Sequence, residues 1–113
     1  ELLEHCLRRH DVVVSEFILD EFHKNLVKKF RYSAEDADSV IQLLRSRVFL
    51  SKPIPLSQPV CRDVDDDMVI AAALAGRAAC IITGDKDLLE LKVHQGIAII
   101  KPADFSAFEA EHS

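Results

Sequence analysis

Residues 80–87 read Cys80-Ile81-Ile82-Thr83-Gly84-Asp85-Lys86-Asp87, and they set the architecture of the chain. The first three residues are apolar and predict a short buried strand, whereas the polar residues from Thr83 onward predict its end. Functional sites of open parallel sheets lie beyond the carboxyl ends of their strands. Asp85 and Asp87 are therefore candidate site residues. The simpler alternative is a turn followed by the N-cap of a short helix at Leu88–Leu91.

A second acidic segment lies upstream of this strand. Residues Asp63-Val64-Asp65-Asp66-Asp67 precede the apolar run Met68–Ala75, which predicts a buried helix. Acidic residues before a helix cap its free N–H groups and are favoured by its dipole. A solvated helix cap therefore explains this pattern as well as a functional site does.

The other segments alternate between strand-like and helical patterns. Short apolar runs predict four strands at Val12–Val14, Val48–Leu50, Cys80–Ile82 and Ile97–Ile100. Apolar spacing and capping residues predict helices around Leu2–Leu7, Ile18–Phe30, Ala37–Leu44, Met68–Ala75, Leu88–Leu91 and Ala103–Glu111. The inward stripe of the second helix is predicted to be Ile18, Phe22, Leu26 and Phe30. Such alternation predicts an α/β fold with a parallel sheet covered on both faces.

Length and composition predict one ordinary globular domain over residues 1–113. A chain of 113 residues has room for one hydrophobic core and not for two. With 49% hydrophobic and 29% charged residues, the composition excludes a disordered chain. The net charge of −5 argues against a broad basic surface for nucleic acid, although carboxylates that hold metal ions can still bind phosphate.

The sequence also predicts the cellular environment of the protein. No apolar run approaches the ~20 residues of a membrane-spanning helix, and no secretory signal is recognisable, so we expect a cytoplasmic protein with no membrane partner. Three cysteines without CxxC spacing predict reduced thiols: Cys6, Cys61 and Cys80. Five histidines lack ligand spacing and are expected at the surface or at helix ends: His5, His10, His23, His94 and His112.

Three acidic groups that are distant in sequence follow predicted strands or begin predicted helices. Asp85 follows Cys80–Ile82, Asp66 lies at the start of the apolar helix, and Glu21 lies one turn into the helix after Val12–Val14. Carboxylates that share a site repel one another, so the site is stable only if they are hydrogen-bonded, protonated or neutralised by a cation. Oxygen ligands favour Mg²⁺ or Mn²⁺ over zinc, and such an ion can activate water and clamp a phosphodiester.

Taken together, Asp63–Ala73 and Ile82–Leu89 resemble the PIN-domain family, in particular the VapC-like ribonuclease toxins of bacterial type II toxin–antitoxin systems. Val13–Glu21 and Ile99–Phe105 add weaker similarity, so the resemblance spans essentially the whole chain. It implies a three-layer α/β/α fold and a metal-dependent endoribonuclease. It further implies an RNA substrate, a cognate antitoxin protein and a homodimer.

The resemblance also implies roles for individual residues. Three acids match the catalytic metal ligands of the family: Glu21, Asp66 and Asp85. Asp87 matches a neighbouring metal-binding acid, and the ion would be Mg²⁺ or Mn²⁺. Asp66 is preferred over Asp67 because Ala73 then falls at the small helix-packing position of the family. Residues expected to support these ligands are Asp63, Asp67 and Thr83.

One part of the family pattern has no counterpart in the sequence. The family begins with a strand whose terminal Asp is a metal ligand, and residues 1–113 contain no matching segment. That strand would lie at the centre of the sheet, between Val12–Val14 and Cys80–Ile82. We therefore expect a PIN-like domain without its first, central strand. The alternative function is a catalytically incomplete PIN-like module that binds RNA or a protein partner.

A phospho-acceptor receiver domain is the alternative fold of similar length. Thr83 at a strand end and Lys101-Pro102 after the last strand resemble its signature. The paired acids of that family, however, follow its first strand, whereas Asp65–Asp67 lie beyond the midpoint here. The interval between Thr83 and Lys101 is also short for that family, so the receiver fold is disfavoured.

Overall fold

A computed structural model describes residues 1–112, which form six α-helices, five short strands and one 3₁₀ turn. The helices are α1 (Leu2–Arg9), α2 (Glu16–Lys28), α3 (Ala34–Arg45), α4 (Val64–Ala75), α5 (Lys86–Leu91) and α6 (Phe105–His112). The strands are β1 (Val13–Val14), β2 (Phe49–Leu50), β3 (Cys80–Ile82), β4 (Val93–His94) and β5 (Ile97–Ile100). The fold is mixed α/β with parallel strand pairs and flanking helices, consistent with the predicted α/β/α architecture.

The strands form two small sheets. β1 and β2 pair in parallel, with Val13 opposite Phe49 and Val14 opposite Leu50. β3 and β5 also pair in parallel, and β4 joins β5 in the antiparallel direction. Within residues 1–112 no strand pairs with both β1 and β3, whereas α4 contacts both of them and so connects the two sheets.

The main core lies between the three-stranded sheet and helices α4 and α5. Its buried residues are Ile70, Ala73, Ile81, Leu88, Ile97 and Ile99. Ile70 and Leu88 are the most deeply buried of these side chains. α5 follows β3 directly along the chain, and Asp66 in the first turn of α4 lies beside Asp85, so the N-terminal ends of both helices lie beside the carboxyl end of β3.

Serine residues begin the two helices of the N-terminal half. The Ser15 hydroxyl accepts a hydrogen bond from the Ile18 N–H at 3.3 Å, and the Ser33 hydroxyl accepts one from the Asp36 N–H at 3.0 Å. Each serine thus satisfies one of the N–H groups that have no partner in the first turn.

The predicted inward stripe of α2 is correct only in part. Leu26 is buried and Phe22 is half-buried, but Phe30 is 65% exposed. The reason is that α2 ends at Lys28, so Phe30 lies beyond the helical register. Leu19 is buried in its place.

The strands differ from the sequence prediction in two respects. β4 is an additional strand, which the pattern misses because two residues are too few to show an alternation. Val13 and Val14 are half-buried rather than fully buried, because β1 has a strand neighbour on one side only within the described chain. The closing helix is confirmed, with a 3₁₀ turn at Pro102–Asp104 before α6.

The structure bears on two further expectations. In residues 1–112 no helix combines the length and the apolar character required to cross a membrane. Cys6, Cys61 and Cys80 are all free thiols, as predicted.

Candidate functional site

Acidic residues begin both helices that face the carboxyl end of β3. Asp63 is the N-cap of α4 and accepts a hydrogen bond from the Asp65 N–H at 2.9 Å. Asp85 is the N-cap of α5 and accepts one from the Leu88 N–H at 2.9 Å. The capping interpretation of both segments is therefore correct, and it does not exclude a further role for the same cluster.

The Asp66 carboxyl group faces Asp85 within hydrogen-bonding range. Partial burial raises the pKa of Asp66 to about 6, and the negative charge of Asp85 adds to this effect. Asp63 and Asp87 raise the pKa further because their charges also lie nearby. We call these four residues, Asp63, Asp66, Asp85 and Asp87, the acidic cluster.

Thr83 holds the backbone of Asp85 in place. Its hydroxyl oxygen accepts a hydrogen bond from the Asp85 N–H at 3.0 Å, and its own N–H donates to the Ile100 carbonyl of β5 at 3.0 Å. The threonine thus connects the end of the sheet to the turn that carries Asp85. The contact is to the backbone of Asp85, and a role of Thr83 beside the metal ligands stays a prediction.

Asp67 points away from the acidic cluster and toward the preceding loop. Its carboxylate accepts hydrogen bonds from the Cys61 N–H at 2.8 Å and from the Val60 N–H at 3.2 Å. Burial raises the pKa of the Cys61 thiol to about 11, and its hydrogen bond to Asp67 contributes. Asp67 therefore closes the loop before α4, while its neighbour Asp66 faces Asp85.

Replacing Asp67 tests this loop-closing role. We expect Asp67→Ala to lower the free energy of unfolding by about 1.5–3 kcal/mol, because the Val60 and Cys61 N–H groups lose a charged acceptor. Urea denaturation measures the loss. The matched control is Asp65→Ala, since Asp65 is exposed and lies in the same helical turn. Equal unfolding free energies for the two variants would contradict the role.

Asp87 has a cationic partner. Its Oδ1 lies 2.8 Å from an Nη atom of Arg62, whose side chain is 87% exposed. Such an exposed ion pair contributes little to stability, on the order of 0–1 kcal/mol. It places one positive charge beside the acidic cluster.

Glu21 is not brought into the acidic cluster. It lies on α2, its recorded ion pair is with Lys24 at 3.8 Å, and it is not among the charges that raise the pKa of Asp66. Its helix follows β1, which belongs to the other sheet. Within residues 1–112 the expected convergence therefore joins Asp66 with Asp85 but does not include Glu21.

The acidic cluster has the chemistry of a site for a hard divalent cation. Its donors are oxygen atoms only, and Mg²⁺ commonly uses one or two carboxylates together with water. Partial burial, followed by the charges of the neighbouring carboxylates, raises the pKa of Asp66, and a bound cation would favour its ionised form. Asp66 and Asp85 are the pair best placed to hold such an ion.

No three carboxylates of the acidic cluster bring their oxygen atoms within 4.8 Å of one another in the described residues, whereas a group outside this cluster does have three such close ligand atoms. In the described part of the chain, three such side chains bring ligand atoms within 4.8 Å of one another at His5, His10 and Glu109. The histidines lie in α1 and directly after it, so a helix-end position is correct for His10. Sequence spacing gives no signal for their common partner, because Glu109 is 104 positions from His5.

Comparison with known proteins assigns a family. The sequence model described as the PIN domain matches residues 2–87, which include the whole acidic cluster, Glu21, Asp67 and Thr83. The match ends before β4, so it is shorter than the resemblance inferred from the motifs. No curated protein and no solved structure gives a significant match. PIN domains are generally nucleases and usually use divalent metal ions. Since the match covers most of its length, the chain belongs to the PIN-domain family.

Proposed function

We propose that this PIN domain is a Mg²⁺- or Mn²⁺-dependent endoribonuclease, the toxin of a toxin–antitoxin pair. The observation that supports the proposal most is the facing pair of carboxyl groups at the ends of β3 and α4, Asp85 and Asp66. Two carboxylates held side by side are costly unless they are hydrogen-bonded, protonated or neutralised by a cation, and a divalent ion is the relief that a nuclease uses. The family is generally composed of nucleases, which gives the site its reaction class.

The contacts of the acidic residues and of Thr83 suggest a separate role for each of them in the proposed site. Asp66 and Asp85 would hold the ion, with Asp87 beside them and Asp63 adding negative charge. Thr83 keeps Asp85 at the end of the sheet, and Asp67 keeps the loop before α4 in place. When bound, the divalent ion would supply charge stabilisation at the phosphodiester that is cut. Glu21 is proposed as a third catalytic acid on the family resemblance alone.

The biological setting is proposed on the same resemblance. The substrate would be RNA, the controlling partner would be a cognate antitoxin protein, and the toxin would act as a homodimer in the cytoplasm. Free thiols at all three cysteines fit a reducing compartment.

One observation favours a second candidate function. Because Glu21 is not joined to Asp66 and Asp85, the described residues assemble only part of the expected ligand set. An incomplete set suits a PIN-like module that binds RNA or a protein partner without cutting. The two functions differ in whether RNA is hydrolysed when Mn²⁺ is supplied.

An Asp85→Asn variant of the protein separates these functions. We expect RNA cleavage with Mn²⁺ to fall by about 100-fold or more, because loss of a ligand exceeds the 10–100-fold effect typical of residues that only support ligands. Asn caps helices as well as Asp does, so α5 and the fold remain intact. Cleavage is measured on end-labelled RNA.

The control for this experiment is Asp65→Asn, which removes one exposed charge from the first turn of α4. It is expected to keep wild-type cleavage. Equal cleavage by wild type and Asp85→Asn would overturn the proposed site. Absence of cleavage by the wild type, combined with retention of RNA, would replace the nuclease proposal with the binding module.

A further inference from the structure

Two histidines and one glutamate converge between the first and last helices of the described chain. His5 Nε2 lies 2.7 Å from Glu109 Oε2, and His10 Nε2 lies 2.5 Å from the same oxygen atom. An ordinary histidine–carboxylate pair in this protein, His23 with Asp38, joins only two side chains. The convergence of two imidazoles on one oxygen therefore needs an explanation beyond a surface ion pair.

Phe105 fixes the orientation of both imidazole rings. The ring of this buried residue packs edge-on against His5 and His10, with centroid distances of 6.5 and 5.6 Å. Packing of this kind limits the rotation of the two rings and reduces the entropy that they would lose on binding a ligand. The three ligand atoms are thus held together before any ion arrives.

Solvent reaches this group from one side. An open groove of about 340 Å³ is lined by His5, Phe105 and Glu109, among other residues. The three ligating side chains are 25–42% exposed, so an ion and a water molecule can enter without movement of the backbone. The groove therefore gives an ion at His5 and Glu109 a route to and from solvent.

We propose that His5, His10 and Glu109 bind a divalent transition-metal ion, with Zn²⁺ as the reference ion. Two imidazoles and one carboxylate form a known ligand set of zinc sites that keep one position open. In a tetrahedral site with bonds near 2.0–2.1 Å, the ligand atoms lie about 3.3 Å apart. The nitrogen atoms, now 2.5 and 2.7 Å from the oxygen, need to move by less than about 1 Å to reach this spacing.

The proposed site differs from the acidic cluster in the ion that it selects. Imidazole donors favour transition metals, whereas the oxygen donors of Asp66 and Asp85 favour Mg²⁺ or Mn²⁺. Because Glu109 lies on α6 and the histidines on or beside α1, a bound ion would tie these two helices together. The site is independent of the proposed nuclease function.

Calorimetric titration with Zn²⁺ in excess Mg²⁺ tests the proposal, because Mg²⁺ occupies oxygen-only sites. We expect one saturable ion per chain and a melting temperature raised by about 5–10 °C when zinc exceeds its Kd roughly 100-fold. His5→Gln and His10→Gln are each expected to weaken binding at least about 10-fold, and the double variant to abolish it. The visible spectrum of bound Co²⁺ reports whether the ligands are nitrogen and oxygen.

Two controls identify the ligands. His23→Gln removes a comparable histidine–carboxylate pair and is expected to leave zinc affinity unchanged. Cys6→Ala tests a thiol close to the site: burial, together with the charge of Glu109, raises the pKa of Cys6. Unchanged zinc affinity in the double histidine variant would overturn the proposal, as would loss of binding in Cys6→Ala.

Discussion

An Asp66→Asn variant is expected to be more stable than the wild type and, at the same time, to lose about 100-fold in RNA cleavage. The gain in stability arises because partial burial and the charges of Asp85 and Asp63 disfavour the ionised carboxylate of Asp66. An amide of the same shape removes that penalty. Because the group is partly exposed, we expect a gain of about 1–2 kcal/mol at pH 7.5 in metal-free buffer.

The pH dependence of the unfolding free energy follows from the raised pKa of Asp66. Asp66 has a pKa of about 6 in the folded protein, above the ~3.9 of an unperturbed aspartate. The folded state therefore holds the proton more tightly, and this group destabilises the fold progressively as pH rises from about 4 to about 6. Above that range the penalty is complete. In urea denaturation, the unfolding free energy of Asp66→Asn should accordingly exceed that of the wild type most above pH 7, and the difference should vanish near pH 4.

Two comparisons separate the stability effect from the catalytic effect. Asp65→Asn removes a charge from the same helical turn and should change neither stability nor cleavage appreciably. Mn²⁺ should raise the unfolding midpoint of the wild type and have little effect on Asp66→Asn. A variant that is less stable than wild type at pH 7.5 would show that Asp66 is a structural residue.

The proximity of Asp66 to Asp85 is the part of the site that can be predicted from the sequence. Asp85 follows an apolar strand and Asp66 begins an apolar helix, so two local rules place both at the same edge of a sheet. The choice of Asp66 over Asp67 rests on the family resemblance, through the position of Ala73. Helix geometry adds only that successive residues point about 100° apart, so that both cannot face Asp85. Asp66 accordingly faces Asp85, while Asp67 binds the N–H groups of Val60 and Cys61.

Other parts of the structure depend on contacts that no local pattern encodes. The position of Glu21 relative to Asp66 depends on how β1 lies with respect to β3, and these strands belong to different sheets. The convergence of His5 and His10 on Glu109 joins opposite ends of the chain. Each of these arrangements depends on the packing of helices and sheets that are far apart in the sequence. The amphipathic spacing within one helix or strand does not specify such packing.

A methyl group added at Gly76 is expected to destabilise the fold by about 1–3 kcal/mol. Gly76 ends α4, and its Cβ would overlap Cγ1 of Val13 and lie 3.1 Å from Cγ2. Val13 is β-branched and belongs to β1, so moving its side chain or its backbone away from Gly76 costs free energy. The backbone of Gly76 has a φ of −88°, which alanine adopts without strain. The glycine is therefore required for space, at the point where α4 meets the smaller sheet.

A double-mutant cycle tests this contact by urea denaturation. Gly84→Ala is the matched control, because its added Cβ would meet nothing within 4 Å and it should leave stability unchanged or raise it slightly. Val13→Ala removes both overlapping carbon atoms, so the Gly76→Ala/Val13→Ala variant should be more stable than the sum of the single effects predicts. Strict additivity would show that α4 does not press on β1 at Gly76. A favourable coupling energy between the two substitutions would show that α4 contacts the smaller sheet tightly at Gly76. Gly76 directly follows the helix that also carries Asp66.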